Sequence, residues 1–268
     1  MSKIIDISHH QGDIDWSKAS KEVDLAIIRT QYGTSTIDRK YIRNINECKK
    51  YKVPFGVYIY VTFKNAAEAL AQAKNFYNRA QGYDPLFYVV DVEESFGASI
   101  QNIVQGTQAF IDYLKIKGVK VGLYTGHHFY KPYQMDMVKN YDFLWIPRYS
   151  GSSAQGKKPD FACDLWQYTE SGTVAGIKGS VDLNVLNGSK TLSWFTNKNE
   201  EDNKLTEKDD DKMQFTNETT KAAVRDYLKQ AVDKKIIDKM WLDKFDNGTM
   251  TTGDYEGLKI IISQRING

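Results

Sequence analysis

The chain reads as short apolar runs separated by polar or helix-like stretches. The runs are 3–8, 25–30, 55–61, 87–93, 119–125, 143–148, 164–168 and 181–186. Most are dense in Ile, Val, Leu and Tyr, as strands buried on both faces should be. Between the early runs lie helical candidates at 38–51, 66–80 and 100–117, the second rich in alanine. Loops holding Gly, Ser and Pro join the later runs and leave less room for full helices. The pattern predicts an α/β fold: a β/α (TIM-like) barrel that becomes irregular toward its end. An open doubly wound sheet is the alternative, but no GxGxxG or GxxxxGK[ST] supports a nucleotide-binding form of it.

The pattern changes after residue 195. Residues 196–214 are mostly charged or polar, with only Leu205 and Met213 apolar, and read as a linker. Beyond it Ala223, Val224, Tyr227, Leu228, Ala231 and Val232 share a helical stripe, with Glu218 in the first turn. Asn247-Gly248 marks a turn, and Thr251 with Asp254 makes a capping box ahead of Tyr255, Leu258, Ile261 and Ile262. The expected organisation is a barrel over 1–195, a charged linker over 196–214 and a small helical module over 215–268. So small a module is marginally stable alone. It is expected to dock on the barrel, to self-associate through Tyr227, Leu228, Trp241 and Ile261, or to be a simple appended domain without ligand.

Composition removes several classes of function. A net charge of +2 over 268 residues is too small for a nucleic-acid or membrane-surface binder. The cysteines, Cys48 and Cys163, are far apart with no CxxC, and the histidines fall in the adjacent pairs His9-His10 and His127-His128. Neither pattern has metal-ligand spacing, so no metal and no cofactor are expected. The chain opens Met-Ser-Lys-Ile-Ile-Asp, directly into a strand and without a signal-peptide pattern. Synthesis in a cytoplasm is therefore expected, with release by some other agent if the protein acts outside. No apolar run is long enough to span a membrane.

The candidate chemistry lies where strands end. In Phe-Tyr-Val-Val-Asp-Val-Glu, 87–93, an apolar run meets two carboxylates one residue apart, so Asp91 and Glu93 project to the same side. Asp6 ends the first run and Asp182 opens the last; closure of the barrel would make those runs neighbours. Carboxylates crowded in a barrel mouth raise one another's pKa, leaving a protonated acid beside ionised partners. Glycosidic-bond cleavage requires that combination. A solvated edge strand and a Mg²⁺ site are the rival readings of the DxE pair. Tyr58, Tyr60, Tyr124, Trp166 and Gln167 near strand ends favour a sugar, because aromatic faces stack on pyranose rings and amides bond hydroxyls. Arg29 and Arg148, also near strand ends, read equally as ion-pair partners.

Six segments carry a resemblance in order: Asp-Ile-Ser-His-His-Gln-Gly-Asp-Ile-Asp-Trp at 6–16, Phe-Gly-Val-Tyr-Ile-Tyr at 55–60, Val-Val-Asp-Val-Glu at 89–93, Gly-Leu-Tyr-Thr-Gly at 122–126, Leu-Trp-Gln-Tyr-Thr at 165–169 and Val-Asp-Leu-Asn at 181–184. Together they resemble the muramidases of glycoside hydrolase family 25, which include many phage endolysins. The resemblance implies an incomplete β/α barrel that hydrolyses the β-1,4 bond between N-acetylmuramic acid and N-acetylglucosamine in peptidoglycan. It implies Glu93 as general acid/base, with Asp91, Asp6 and Asp182 assisting. It further implies that Tyr58, Tyr60, Tyr124, Trp166 and Gln167 line the groove. In an endolysin-like chain the helical module reads as a Gram-positive cell-wall anchor. A non-catalytic wall-glycan binder on the same barrel is the alternative function, and a hydrolase of another glycan such as chitin a third.

Overall fold

The computed structural model describes residues 3–149, 157–197, 213, 215 and 217–267. The chain divides into a unit ending at Asn197 and a second beginning at Lys198. Most of the expected linker lies outside the described residues. Its first residue, Thr196, is buried in the first unit and ends a helix there.

Each apolar run of the first unit forms a strand. They are β1 (Lys3–Ile7), β2 (Val23–Tyr32), β4 (Phe55–Tyr60), β5 (Tyr88–Asp91), β6 (Val121–Tyr124), β7 (Phe143–Pro147), β8 (Leu165–Gly172) and β9 (Val181–Leu186), and a short β3 (Thr36–Ile37) pairs with the end of β2. Strands β1, β2 and β4 to β8 run parallel, and β9 is inserted antiparallel between β8 and β1. The pairing of β1 with β2 closes the barrel.

The crossover segments supply α1 (Trp16–Ala19), α2 (Tyr41–Lys50), α3 (Ala66–Ala80), α4 (Ile100–Ile116) and α5 (His127–Tyr130). Asn65 and Ser99 cap α3 and α4 by accepting hydrogen bonds from the Glu68 and Asn102 backbone N–H groups. No helix lies among the described residues between β7 and β8, or between β8 and β9. The barrel is irregular on this side because antiparallel β9 needs only a loop to follow β8.

Strand alternation separates two apolar layers. Ile5, Ile7, Ala26, Ile28, Val57, Ile59, Val90 and Leu123 point out to pack against the helices. Ile4, Leu25, Ile27, Phe87, Val89, Phe143 and Leu165 point in. Phe195, on α6 (Leu192–Thr196), packs its ring 5.0 Å from Phe143 and 5.8 Å from Phe87, so α6 closes the end where the parallel strands begin. Gly56 makes room for this plug, since a Cβ there would sit 2.1 Å from the Phe87 ring. The opposite end, where the parallel strands finish, holds the polar inward residues.

The second unit contains α7 (Glu218–Asp233), α8 (Lys239–Asp246) and α9 (Thr252–Asn267). Leu228, Ala231, Ile237, Phe245, Met250, Leu258 and Ile262 form its core. The Thr251–Asp254 capping box is present, each residue's side chain accepting from the other's backbone N–H. The face expected to mediate self-association is mostly spent internally. Leu228 is buried, Tyr227 and Trp241 pack on the core, and Ile261 alone of the four is exposed. Ile261 points away because Leu258 and Ile262, four residues apart, already carry the buried stripe of α9.

Candidate active site

Alternation that sends Ile4 inward also sends Asp6 inward, one step nearer the strand end, and the same rule carries Phe87 and Val89 on to Asp91. Glu93 lies just past β5 and keeps the phase. These residues meet in an open cavity of about 680 Å³ at the strand C-termini. Its lining includes Asp6, Asp91, Glu93, Asp182, Tyr58, Tyr60, Tyr124 and Gln167.

Asp182 reaches the mouth for a different reason. It stands near the beginning of its strand, which in a parallel barrel is the closed end. Because β9 runs the other way, Asp182 pairs in register with Asp6. The Asp6 Oδ2 accepts 2.8 Å hydrogen bonds from Gln167 Nε2 and Asn184 Nδ2, and Asp6 also shares a hydrogen bond with Asp182. Burial raises the Asp6 pKa against these bonds. Asp182 is pushed up to about 9 by burial and then by its proximity to Asp6. The pair therefore shares one proton through the neutral range, held chiefly on Asp182.

The second pair is less evenly placed. Asp91 is buried, and its Oδ1 has no hydrogen-bond partner among the described residues. Burial and the charges of Glu93 and Asp6 raise its pKa well above the usual range, while Arg29 pulls the other way. Glu93 is half-buried, and burial, then Asp6 and Glu94, lift it to about 7. Of the two, Glu93 has the exposure to meet a substrate and a pKa matched to proton transfer near neutrality.

Gln167 connects the groups around the carboxylates. Its Nε2 donates to Asp6, and its Oε1 accepts from the Tyr124 hydroxyl at 2.9 Å and from the Tyr149 hydroxyl. Trp145 donates its indole N–H to Asn184 Oδ1 at 2.7 Å and packs edge-on to Tyr124, 4.5 Å between centroids. These bonds and ring contacts orient the polar groups of the mouth toward one another.

One expected groove residue lies elsewhere. Trp166 is buried in the outer layer and donates to the Arg148 carbonyl at 2.9 Å. Gln167 faces inward, so its neighbour Trp166 must face outward. Trp145 lines the cavity in its place, with Tyr149, Ser8, His10, Gln11 and Arg29. Trp145 was recoverable from the sequence, since Phe143 two residues earlier also faces in. Asn184 was recoverable in the same way from Asp182 two residues earlier, whereas Tyr149, past the end of β7, carried no such signal because its role depends on the course of a loop. Arg29 is anchored by Asp38 through Nε at 3.2 Å, and Arg148 pairs with Asp160. Among the described residues no group of three His, Cys, Asp or Glu side chains is arranged to hold a metal ion.

Comparison with known proteins agrees with this geometry. Residues 5–177 match glycosyl hydrolases family 25. An autolytic lysozyme of Clostridium acetobutylicum is 32% identical over 185 residues, covering 68% of this chain and 54% of the relative, so the chain spans about half the length of that lysozyme. The uncharacterised protein YegX of Escherichia coli O157:H7 is 30% identical over 199 residues, 69% of this chain and 70% of its own. Among solved structures, the catalytic domain of endolysin ply40 from bacteriophage P40 of Listeria monocytogenes has a TM-score of 0.68 at 31% identity, covering 74% of this chain and 98% of that one. The matched span contains Asp6, Asp91 and Glu93 and most of a barrel that β9 then closes with Asp182. On this combined evidence of sequence and fold, the chain belongs to glycosyl hydrolases family 25.

Proposed function

We propose that this protein is an endolysin-type muramidase that cleaves the β-1,4 bond between N-acetylmuramic acid and N-acetylglucosamine in Gram-positive peptidoglycan. The observation that carries the reading is Glu93, a half-buried carboxyl with a pKa of about 7, beside Asp91 in a mouth that also holds Asp6 and Asp182. Protonated Glu93 gives its proton to the leaving oxygen as the glycosidic bond breaks. Its carboxylate then takes a proton from the water that completes hydrolysis. The unpartnered Oδ1 of Asp91 is an acceptor awaiting a donor, and the N–H of a substrate acetamido group has the right chemistry. The anionic Asp6–Asp182 pair favours the positive charge that develops on the sugar ring.

The wider setting belongs to the same proposal. The enzyme is made in a bacterial cytoplasm and reaches the wall after the membrane is breached. The helical unit acts as a wall anchor that raises the local enzyme concentration by tethering.

The test is mass spectrometry of fragments released from purified, N-acetylated Gram-positive peptidoglycan by the wild type and by Glu93→Gln. Muramic acid at the new reducing ends, absent with the variant, is the expected result. Reducing-end glucosamine would make the enzyme a glucosaminidase. Wall binding without fragments would make it a glycan binder.

A further inference from the structure

Strand β2 is irregular at two places, at Asp24 against β1 and at Thr30 against β4, and the second lies beside the active site. Arg29 pairs with Tyr58 and Gln31 with Ile59, so Thr30 is an extra residue bulged out of the parallel ladder. Up to that point alternation sends Leu25, Ile27 and Arg29 inward. Unbroken alternation would continue with Gln31 inward and turn Tyr32 out toward the helices. The bulge inverts the phase. Gln31 is instead fully buried on the outer side, where it donates to Asn75 Oδ1 at 3.0 Å and accepts from Arg79 Nε at 2.8 Å, both on α3.

Tyr32 consequently falls opposite Tyr60. The two rings stack, 4.9 Å between centroids with 16° between planes. Tyr60 lines the cavity, whereas Tyr32 stands just outside it and is 39% exposed. The inner ring is held firmly: its hydroxyl donates to Glu94 Oε1 at 2.8 Å, and Phe96 meets it edge-on at 6.5 Å. A large aromatic residue exposed to this extent adds little to the core. The bulge leaves Thr30 without a register partner on β4, its carbonyl accepting instead from the Asp38 N–H at 2.9 Å, and returns an aromatic shelf at the rim.

We propose that Tyr32, backed by Tyr60, forms a stacking platform for a pyranose ring of the glycan strand where that strand leaves the cleavage cavity between β2 and β4. The proposal rests on the muramidase reading, in which the substrate is a polymer longer than the cavity and must cross the rim. The apolar C–H face of a hexosamine matches an open tyrosine face, and binding remote from the cleaved bond helps long strands more than short ones.

The experiment compares kcat/KM on long glycan strands, freed of peptide by an amidase, with kcat/KM on the shortest oligosaccharide the wild type cleaves. Tyr32→Ala and Tyr32→Leu should lower the long-to-short preference by about 3–10-fold, the value of one stacking contact. Tyr32→Phe keeps the ring and should hold the preference within about twofold. Circular dichroism establishes that each variant is folded. An unchanged preference in the Ala and Leu variants, or a loss in Tyr32→Phe as large as theirs, would overturn the platform. If the wild type releases no fragments, the muramidase reading fails separately. Calorimetric binding of the same long strands then tests the platform alone: weaker binding by Tyr32→Ala keeps it and equal binding discards it.

Discussion

Asp6 and Asp182 are register partners on β1 and β9, strands that run in opposite directions, and they share a proton at the barrel mouth. Asp182 is pushed up to about 9, above its ordinary carboxylate value, so the folded state binds this proton more tightly than the unfolded chain. Its stabilising contribution is complete in acid and is lost as pH rises toward 9. Asp182→Asn keeps a hydrogen-bond donor for Asp6 and removes the titration. The variant should gain roughly 1–3 kcal/mol over wild type at pH above about 8 and much less at pH about 5, while activity falls. Thermal melts across that range check it, and a gain that does not grow with pH would refute the shared proton.

In the proposed mechanism Glu93 acts as the acid only when protonated. With its pKa at about 7, kcat/KM should decline as pH rises through that value. Glu93→Gln should lose about 10²–10⁴ in rate with its fold intact. The charge of Glu94 helps hold Glu93 up. Glu94→Gln should therefore move the alkaline limb of the profile to lower pH. A pH–rate profile on soluble glycan strands measures both effects, and a limb that stays in place or moves upward would remove Glu94 from the account.

Asp38 anchors the cation that faces the carboxylates. Its Oδ2 accepts from the His9 backbone at 2.9 Å and from Arg29 Nε at 3.2 Å, and its Oδ1 accepts from the Lys40 backbone at 2.9 Å. Burial alone would raise its pKa, but these bonds and the Arg29 charge outweigh burial and hold it below the usual range. Its contribution to stability is thus present at neutral pH and lost in acid. Asp38→Asn should cost about 2–4 kcal/mol at neutral pH and progressively less toward pH about 3. Denaturant titrations at two pH values decide the point; a cost independent of pH would mean that packing, not charge, is what Asp38 supplies.

Gly56 is required by the interior of the barrel. A Cβ there would lie 2.1 Å from the Phe87 ring, which is itself wedged against Phe143 and Phe195. Gly56→Ala should cost about 2–3 kcal/mol or more through overpacking. Adding Phe87→Leu should cost less in this background than in wild type, because it relieves the clash. Simple additivity of the two substitutions in a double-mutant cycle would rule out the contact as the cause.

All strands but β3, which is two exposed residues long, were legible because each is an apolar run with half or more of its residues buried, and α3 and α4 because their periodicity and caps agree. The DxE pair was legible as well, since a period of two carries Asp91 and Glu93 to one side wherever the strand stops. Helix α8 escaped notice: Lys239–Asp246 is short, and its apolar residues make too few turns to establish a period. Trp166 was misplaced because two adjacent aromatic or amide residues cannot both face a groove, and the run alone does not say which of Trp166 and Gln167 does.

Local rules acting within a few residues therefore specified most of the elements, their inner and outer faces and the carboxylates at the strand ends. The direction of β9, the phase shift at Thr30 and the raised pKa values came from the fold. Each depends on groups far apart in the chain: Asp6 and Asp182 meet only when the barrel closes, Thr30 is extra only against the ladder of β4, and a carboxyl changes its affinity for a proton only when packing removes water from around it. Periodicity records which face a residue takes, and only closure of the barrel records what it meets there.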